Sequence, residues 1–343
     1  MKAVIFREHG PVEVLRFVED FPLPAPGPGQ VRLRVAASAL NRLDLFVRQG
    51  WPGLALVMPH IGGADGAGIV DALGPAVSGW AIGDRAVIDP SLSCGECAFC
   101  RAGRHNLCEQ FSILGEHTRG TFAEYVVVPA RNLLRLPEHV SYTEAAAAGL
   151  VYLTAWHSLI TRGGLQAGES VLIVGAGGGV NTASIQIARL AGARVYVVGS
   201  SAEKLAQAEA LGADVLIDRS REDWSQAVYR LTDRRGVDVV VDNVGAETLY
   251  GSIRALRKGG RLLIVGATSG PQFGLDVRYL FGKQISLIGS TMAPRQDFEQ
   301  VMALVFAGRL KPVIGTVLPL ADVPEGHRLL ERGEVFGKVV FAL

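Results

Sequence analysis

No run of the 343 residues stays apolar long enough to cross a bilayer. The most apolar stretches, around Ala145–Trp156 and Val171–Val180, are short and interrupted by glycine and polar residues, well below the ~18 positions a span needs. Nor is there an excess of either charge. Lys plus Arg is 34 and Asp plus Glu is 33, a net charge of +1. That balance, with basic residues scattered rather than striped, builds no field for nucleic acid or anionic lipid. No segment combines low hydrophobicity with high net charge, so intrinsic disorder is excluded. Repeats and low-complexity tracts are lacking. Met1–Phe6 runs directly into a strand pattern without signal-peptide features, and a cytoplasmic location is expected.

Glycine is what the chain has in surplus: 42 of 343 residues, against an ordinary share of ~7%. With no collagen-like period, these glycines must serve turns and close backbone approaches. The first 140 residues read as short strands between turns. Val31–Val35 alternates with period two, Phe122–Val128 is β-rich, and the Pro-rich segment Phe21–Gly29 is a surface connection. The rhythm changes at the capping box Ser141-Tyr142-Thr143-Glu144. From Ser170, six apolar strands are expected at Val171–Val174, Val195–Val198, Val215–Ile217, Val237–Val241, Arg261–Val265 and Ile285–Ile288. Helical runs at Ala183–Ala191, Ala202–Leu211 and Glu222–Leu231 lie between them. Strict alternation of this kind predicts an α/β fold with a doubly wound parallel sheet. After Met292 the rhythm is lost, and the strand-like Lys338–Phe341 predicts a return to the first domain.

All four cysteines fall within fifteen residues, as Cys94-x-x-Cys97-x-x-Cys100-x7-Cys108. Four thiolates at short spacing, with Gly95 and Gly103 for the turns, suit one tetrahedral zinc ion. Such a closed set leaves no open coordination position, so the expected role is structural. An iron–sulfur cluster uses other spacings, and paired disulfides do not suit a cytoplasmic chain.

Val171–Val174 is followed by Gly175-Ala176-Gly177-Gly178-Gly179-Val180-Asn181 and then a helix. Glycines let the backbone approach a pyrophosphate, and the free N–H groups of the helix start face it. Val180 occupies the third glycine position of the usual fingerprint. At the end of the next strand, Gly199-Ser200-Ser201 carries no carboxylate to bond a free ribose, whereas Ser200, Lys204 and Arg219 can meet a 2′-phosphate. NADP(H) is the favoured cofactor and NAD(H) the alternative. Asn243, Gly245, Val265 and Gly266, at later strand ends, are expected on the ribose and nicotinamide side.

These pieces in this order resemble the medium-chain dehydrogenase/reductase superfamily over essentially the whole chain. Further matches are Gly63-Ala64-Asp65-Gly66-Ala67-Gly68, Gly115-x4-Gly120-x-Phe122-Ala123-Glu124-Tyr125, Leu211-Gly212-Ala213-Asp214, Gly236–Asp242 and Gly259-Gly260-Arg261-Leu262. The resemblance implies a GroES-like catalytic domain (1–150 and 293–343, its zinc lobe at about 90–110) and a Rossmann domain (151–292). Zinc-type alcohol dehydrogenases of the family hold a second, catalytic zinc on Cys, His and Cys. Those positions align here with Asn41, Ala64 and Leu150, and Leu43 replaces the proton-relay hydroxyl. Asn41-x-x-Asp44 instead looks like the metal-free quinone oxidoreductase branch. Asp44, His60, Asp65, Glu116 and His117 are the residues from which another metal site would have to be built.

The resemblance therefore implies an NAD(P)H-dependent reductase of small carbonyls, quinones or enones, with an NAD-dependent alcohol dehydrogenase as the alternative. A non-enzymatic nucleotide-binding protein is a third reading. Asn41, Thr154 and Tyr152 are the expected groups at the reacting atoms, and Lys338, matching a family lysine, is expected to add charge at the pyrophosphate. Pairing of an open edge strand, Gln284–Ser290, predicts a homodimer or a tetramer of dimers.

Overall fold

A computed structural model describes all 343 residues. The chain divides into two compact units, Val151–Met292 and a second made of Met1–Leu150 with Ala293–Leu343. No helix is long and apolar enough to cross a membrane.

The unit Val151–Met292 is built on a six-stranded sheet. Its spatial order is Val215–Asp218, Arg194–Gly199, Ser170–Val174, Val237–Asp242, Leu256–Ile264 and Ser286–Gly289, and every pair is parallel. Val171, Leu172, Ile173, Val239 and Val240 are wholly buried, as strands covered on both faces must be. In chain order the strands run 3-2-1-4-5-6, the doubly wound arrangement. The order reverses between Ser170–Val174 and Val237–Asp242. Their carboxyl ends therefore open the crevice where such sheets bind ligands.

Two boundaries differ from the periodicity. The helix after the glycine turn spans Gly179–Leu190, beginning four residues before Ala183. Glycine disfavours a helix interior, but in the first turn the N–H groups lack intrahelical partners anyway, so the penalty there is small. The third inter-strand helix, Trp224–Leu231, starts later than Glu222 because Asp223 caps it, accepting the N–H groups of Ser225 and Gln226.

The other unit holds a seven-stranded sheet. Ile314–Pro319, Lys338–Ala342, Gln30–Ala39, Asp65–Leu73, Arg85–Ile88 and Leu133–Arg135 lie side by side, and Tyr125–Pro129 also pairs with Gln30–Ala39. The chain end is sewn in antiparallel, with Val340 opposite Ala39 and the Leu40 N–H on Val339 O at 2.9 Å. Ala39 in turn faces Asp65. Lys338, Asn41 and Asp65 are thus brought to one end of three adjacent strands. An apolar core including Phe6, Leu45, Ile61, Phe122, Val323 and Phe341 packs in this unit, with Phe122 and Phe341 edge to face at 5.4 Å between centroids.

His327, on the helix Val323–Arg332, is 1% exposed beside this core. Its Nδ1 accepts from the Arg48 guanidinium at 3.3 Å, and its ring lies edge to face with Phe122. Burial first, and the Arg48 charge second, hold its pKa down at about 3, so the imidazole is neutral in the fold. A depressed histidine contributes stability that is complete above the unfolded value of 6.5 and is lost as pH falls from 6.5 towards 3. Melting scans across that window should show the wild type losing up to ~1.4 kcal/mol per pH unit from this group. His327→Gln should flatten that part of the curve; identical slopes would remove His327 as the cause.

Candidate functional site

The cysteine lobe is framed by the small ladder of Ser91–Leu92 with Ser112–Ile113 and by the short helix Ala98–Arg101. Gly95 and Gly103 adopt φ of +85° and +72°, conformations that favour glycine. The four Sγ atoms lie within 4.8 Å of one another. Cys94 Sγ is 3.8 Å from Cys100 Sγ and 3.5 Å from Cys108 Sγ. Sulfurs held at ~2.3 Å from a tetrahedral zinc stand ~3.8 Å apart, so the donor set fits that ion. Backbone N–H groups of Glu96 and Cys97 point at Cys94 Sγ, and those of Cys94 and Gln110 at Cys108 Sγ, which favours thiolates. N–H donors at Cys100 and Glu109 lower the Cys97 pKa to about 6, while burial first, with its thiol neighbours, pushes Cys100 up to about 11. The neighbouring His105 accepts the Arg295 N–H on Nδ1 at 3.4 Å.

The glycine turn lies at the sheet's point of reversal. Gly175 has φ +107°, and a Cβ there would come within 2.4 Å of Asn181 Nδ2. Asn181 is folded back onto the strand end, donating to Val174 O (3.2 Å) and Gly175 O (2.8 Å) and accepting from Asn243 Nδ2 at 2.7 Å. It therefore ties the two strands that flank the crevice. Gly178 caps the helix Gly179–Leu190 in extended conformation, and Gly177, Gly179 and Val180 are partly exposed around it, at a helix start suited to an anion. Across the reversal, Asp242 is fully buried. Its carboxylate accepts from the Val244 and Gly245 N–H groups and from the hydroxyls of Thr248 and Ser252. It sets the turn bearing Asn243 and Gly245, while the Val265 N–H bonds Asp242 O and carries the next strand on to Gly266. This organising role had no signal beyond the Gly236–Asp242 match.

At the end of Arg194–Gly199, Ser200 is exposed and Ser201 caps the helix of Lys204, while the Arg219 N–H bonds Gly199 O. Asp218 lies in register with Gly199. Hydrogen bonds from Ser220 hold its carboxyl below the usual range, so it is ionised.

In the other unit, Asn41, Asp44, Asp65 and Lys338 form a buried cluster, each at most 5% exposed. Asn41 starts the helix Arg42–Gln49 in a capping box, its N–H on Asp44 Oδ2 at 2.7 Å. The other Asp44 oxygen accepts the Gly63 N–H. Burial pushes the Asp44 carboxyl up to about 7, against the pull of those two donors and of Lys338. Asp65 Oδ1 accepts the Leu150 N–H at 2.6 Å, and Oδ2 takes Asn41 Nδ2 at 2.9 Å and Lys338 Nζ at 3.2 Å. Lys338 Nζ also donates to Asn41 Oδ1 at 2.5 Å.

Lys338, expected to add charge at the pyrophosphate, is held here by a carboxylate. Its strand begins beside Asn41, and an ammonium buried with carboxylates is bound by them. The Asn41 amide is likewise engaged: one N–H is on Asp65 and the other leans on Ala39 O at 3.5 Å. Thr154 and Tyr152 lie buried on the helix Tyr142–Trp156. The Tyr152 hydroxyl accepts from Gln186 at 2.8 Å, and burial raises its pKa strongly, so the phenol stays protonated.

The alternative metal set does not assemble. His60 Nε2 is bonded to Gly115 O, His117 Nδ1 accepts the Ile113 N–H, and the four cysteines are the only group of three or more His, Cys, Asp or Glu placed to share an ion.

A dinucleotide-type crevice in one unit and a sulfur site of this kind in the other are matched among known proteins. Residues 27–138 match the alcohol dehydrogenase GroES-like domain and residues 179–307 the zinc-binding dehydrogenase domain. An NAD-dependent alcohol dehydrogenase of Sulfurisphaera tokodaii is 31% identical over 336 residues, covering 94% of this chain and 95% of that one. Human quinone oxidoreductase is 29% identical over 350 residues, covering 100% and 98%. The crystal structure of an NAD-dependent alcohol dehydrogenase superposes with a TM-score of 0.96 at 49% identity, over all of both chains. Fold and relatives together define an NAD(P)-dependent oxidoreductase. The chain belongs to the medium-chain dehydrogenase/reductase superfamily.

One zinc per chain is expected by elemental analysis, and a strong chelator should lower the melting temperature before it slows turnover. Cys100→Ser should lose the ion and much of the stability. A chain that keeps its full melting temperature without metal would overturn the structural assignment.

Proposed function

We propose that the protein transfers hydride between a nicotinamide cofactor and a small activated carbonyl, quinone or enone, with no metal at the reacting atoms. The Asn41–Asp65–Lys338 cluster carries this reading. Where the metal-dependent branch places Cys, His and Cys, this chain has Asn41, Ala64 and Leu150, with a carboxamide, a methyl and an isobutyl side chain, and the nearby polar atoms are bonded to one another. Activated acceptors need no Lewis acid. When bound, the nicotinamide would supply the hydride; this chain's part would be to meet the negative charge gained by the acceptor oxygen with hydrogen-bond donors and a final proton. Asn41, through its weakly engaged second N–H, is the first donor; Thr154 and the protonated Tyr152 are the others. A relative named as a quinone oxidoreductase supports this acceptor class, and relatives named as alcohol dehydrogenases support the alternative.

The cofactor reading is NADP(H), held at the pyrophosphate by Gly175 to Asn181 and at the 2′-phosphate by Ser200, Lys204 and Arg219. One observation favours NAD(H): the ionised Asp218, in register with Gly199, repels a phosphate. Assembly as a homodimer or tetramer is supported by the edge strand Ser286–Gly289 and by exposed Val277, Phe281 and Leu287 near it. A cytoplasmic location completes the reading.

Titration with both reduced cofactors decides the first point. NADPH should bind tighter than NADH; NADH binding about tenfold tighter, a gap of ~1.4 kcal/mol, assigns the site to NAD(H).

Asn41→Ala tests the chemistry. Losing an oxyanion donor should lower turnover on a quinone by ~10²–10³, with zinc content and nucleotide affinity unchanged. A variant that loses only melting temperature would reduce Asn41 to a helix cap.

A further inference from the structure

The final proton of the reaction has had no source among the groups described so far. Leu43 carries no hydroxyl to relay one, and burial raises the Tyr152 pKa so strongly that the phenol keeps its own. Three carboxyl side chains of the same unit belong to the surroundings of Gly63 and Ala64. Asp44 accepts the Gly63 N–H, Asp65 follows Ala64, and Glu116 stands on the turn that packs against Gly63. A Cβ on Gly115 would come within 2.4 Å of Gly63 O, and one on Gly120 within 2.0 Å of the same oxygen. The turn is held firmly. His60 Nε2 donates to Gly115 O, the N–H groups of Glu116 and His117 both bond Ile113 O, and that of Gly120 bonds Ile61 O.

Of the three carboxyls, two are engaged. Asp44 accepts two backbone N–H groups, and Asp65 accepts the Leu150 N–H, the Asn41 amide and the Lys338 ammonium. The Glu116 side chain is only 12% exposed, yet no donor lies within hydrogen-bond distance of it. Its nearest polar neighbour is His117 Nε2, 3.8 Å from Oε1. A carboxylate sheltered in this way loses hydration without compensation. Burial accordingly raises the Glu116 pKa, with His117 pulling the other way. His117 Nδ1 accepts the Ile113 N–H at 3.1 Å, so the neutral ring carries its proton on Nε2, the atom nearer Glu116.

We propose that Glu116 is the proton donor of the reaction, its carboxylic acid protonating the acceptor oxygen while the His117 Nε2–H steadies the carboxylate left behind. The proposal rests on the reading above of hydride transfer without a metal at the reacting atoms. The O–H bond of the acid breaks and an O–H bond forms on the product. The carboxylate then takes a proton from water at its exposed edge, so each turnover consumes one solvent proton and one hydride from the reduced cofactor. Asn41 and Glu116 thus divide the work: the amide meets the growing charge and the acid removes it.

Glu116→Gln keeps the shape and removes the acid. With NADPH, its rates should be compared with wild type on acceptors graded by the basicity of the oxyanion they form, from an electron-poor quinone to an aldehyde. The loss should grow with that basicity, reaching ~10²-fold or more at the basic end, because general acid catalysis follows Brønsted behaviour. Melting temperature, zinc content and NADPH affinity should not change. The wild-type rate should fall as pH rises through the Glu116 pKa, and the variant should lack that limb. Asp44, His60, His117 and Arg119, the other titratable and charged groups around the turn, are kept in the variant. Infrared difference spectra across the same pH range should lose one carboxyl band in Glu116→Gln. Formic acid should restore part of the rate to Glu116→Ala, and that rescue decides alone if the glutamine variant does not fold.

An equal loss on every acceptor, no loss at all, a pH limb kept in the variant, or no rescue by formic acid each overturns the proposal. Two zinc ions per chain, with activity following the second, would instead overturn the metal-free reading on which it rests.

Discussion

The antiparallel pairing of Lys338–Ala342 with Gln30–Ala39 holds together what the rest of the candidate site depends on. It draws the last fifty residues into the first unit's sheet, places the Ile314–Pro319 strand beside it, and packs Phe341 against Phe122. It also fixes where Lys338 begins. Val340 faces Ala39 and Ala39 faces Asp65, so the ammonium, the Asn41 amide and the Asp65 carboxylate are delivered to one sheet end by main-chain register. A slip of one residue would turn Lys338 to the opposite face.

Buried carboxylates recur as organisers of backbone. Asp242 gathers the turn after its strand, Asp44 ties Gly63 to the start of a helix, and Asp65 holds Leu150. Asp238 bonds the Ser170 N–H and hydroxyl and the guanidinium of Arg257; burial works upward on its pKa, but those partners hold it at about 2. Each oxygen that accepts an N–H recovers part of the hydration lost on burial, so these charges stabilise only the geometry that satisfies them. In Asp65 alone is the compensation completed by a buried ammonium.

The absence of long apolar runs and of charge excess, together with the β/α alternation, made the parallel sheet legible, because strands buried on both faces must be apolar throughout. The glycine turn and the sulfur spacing were legible for a related reason: short-range geometry is encoded in consecutive residues. Helix starts were read less well. Gly179 begins a helix that the periodicity starts four residues later, because the glycine penalty is small in a first turn.

What sequence alone determined about this protein is therefore local: the class of each element, the sulfur cluster, the phosphate-type turn and the side chains standing at positions where relatives have metal ligands. What only the tertiary structure decided is long-range. Lys338 lies 297 residues from Asn41 and 273 from Asp65, and a lone lysine at a strand start carries no mark of its partner. Strand register buries it, and a buried charge must be paired with an opposite one.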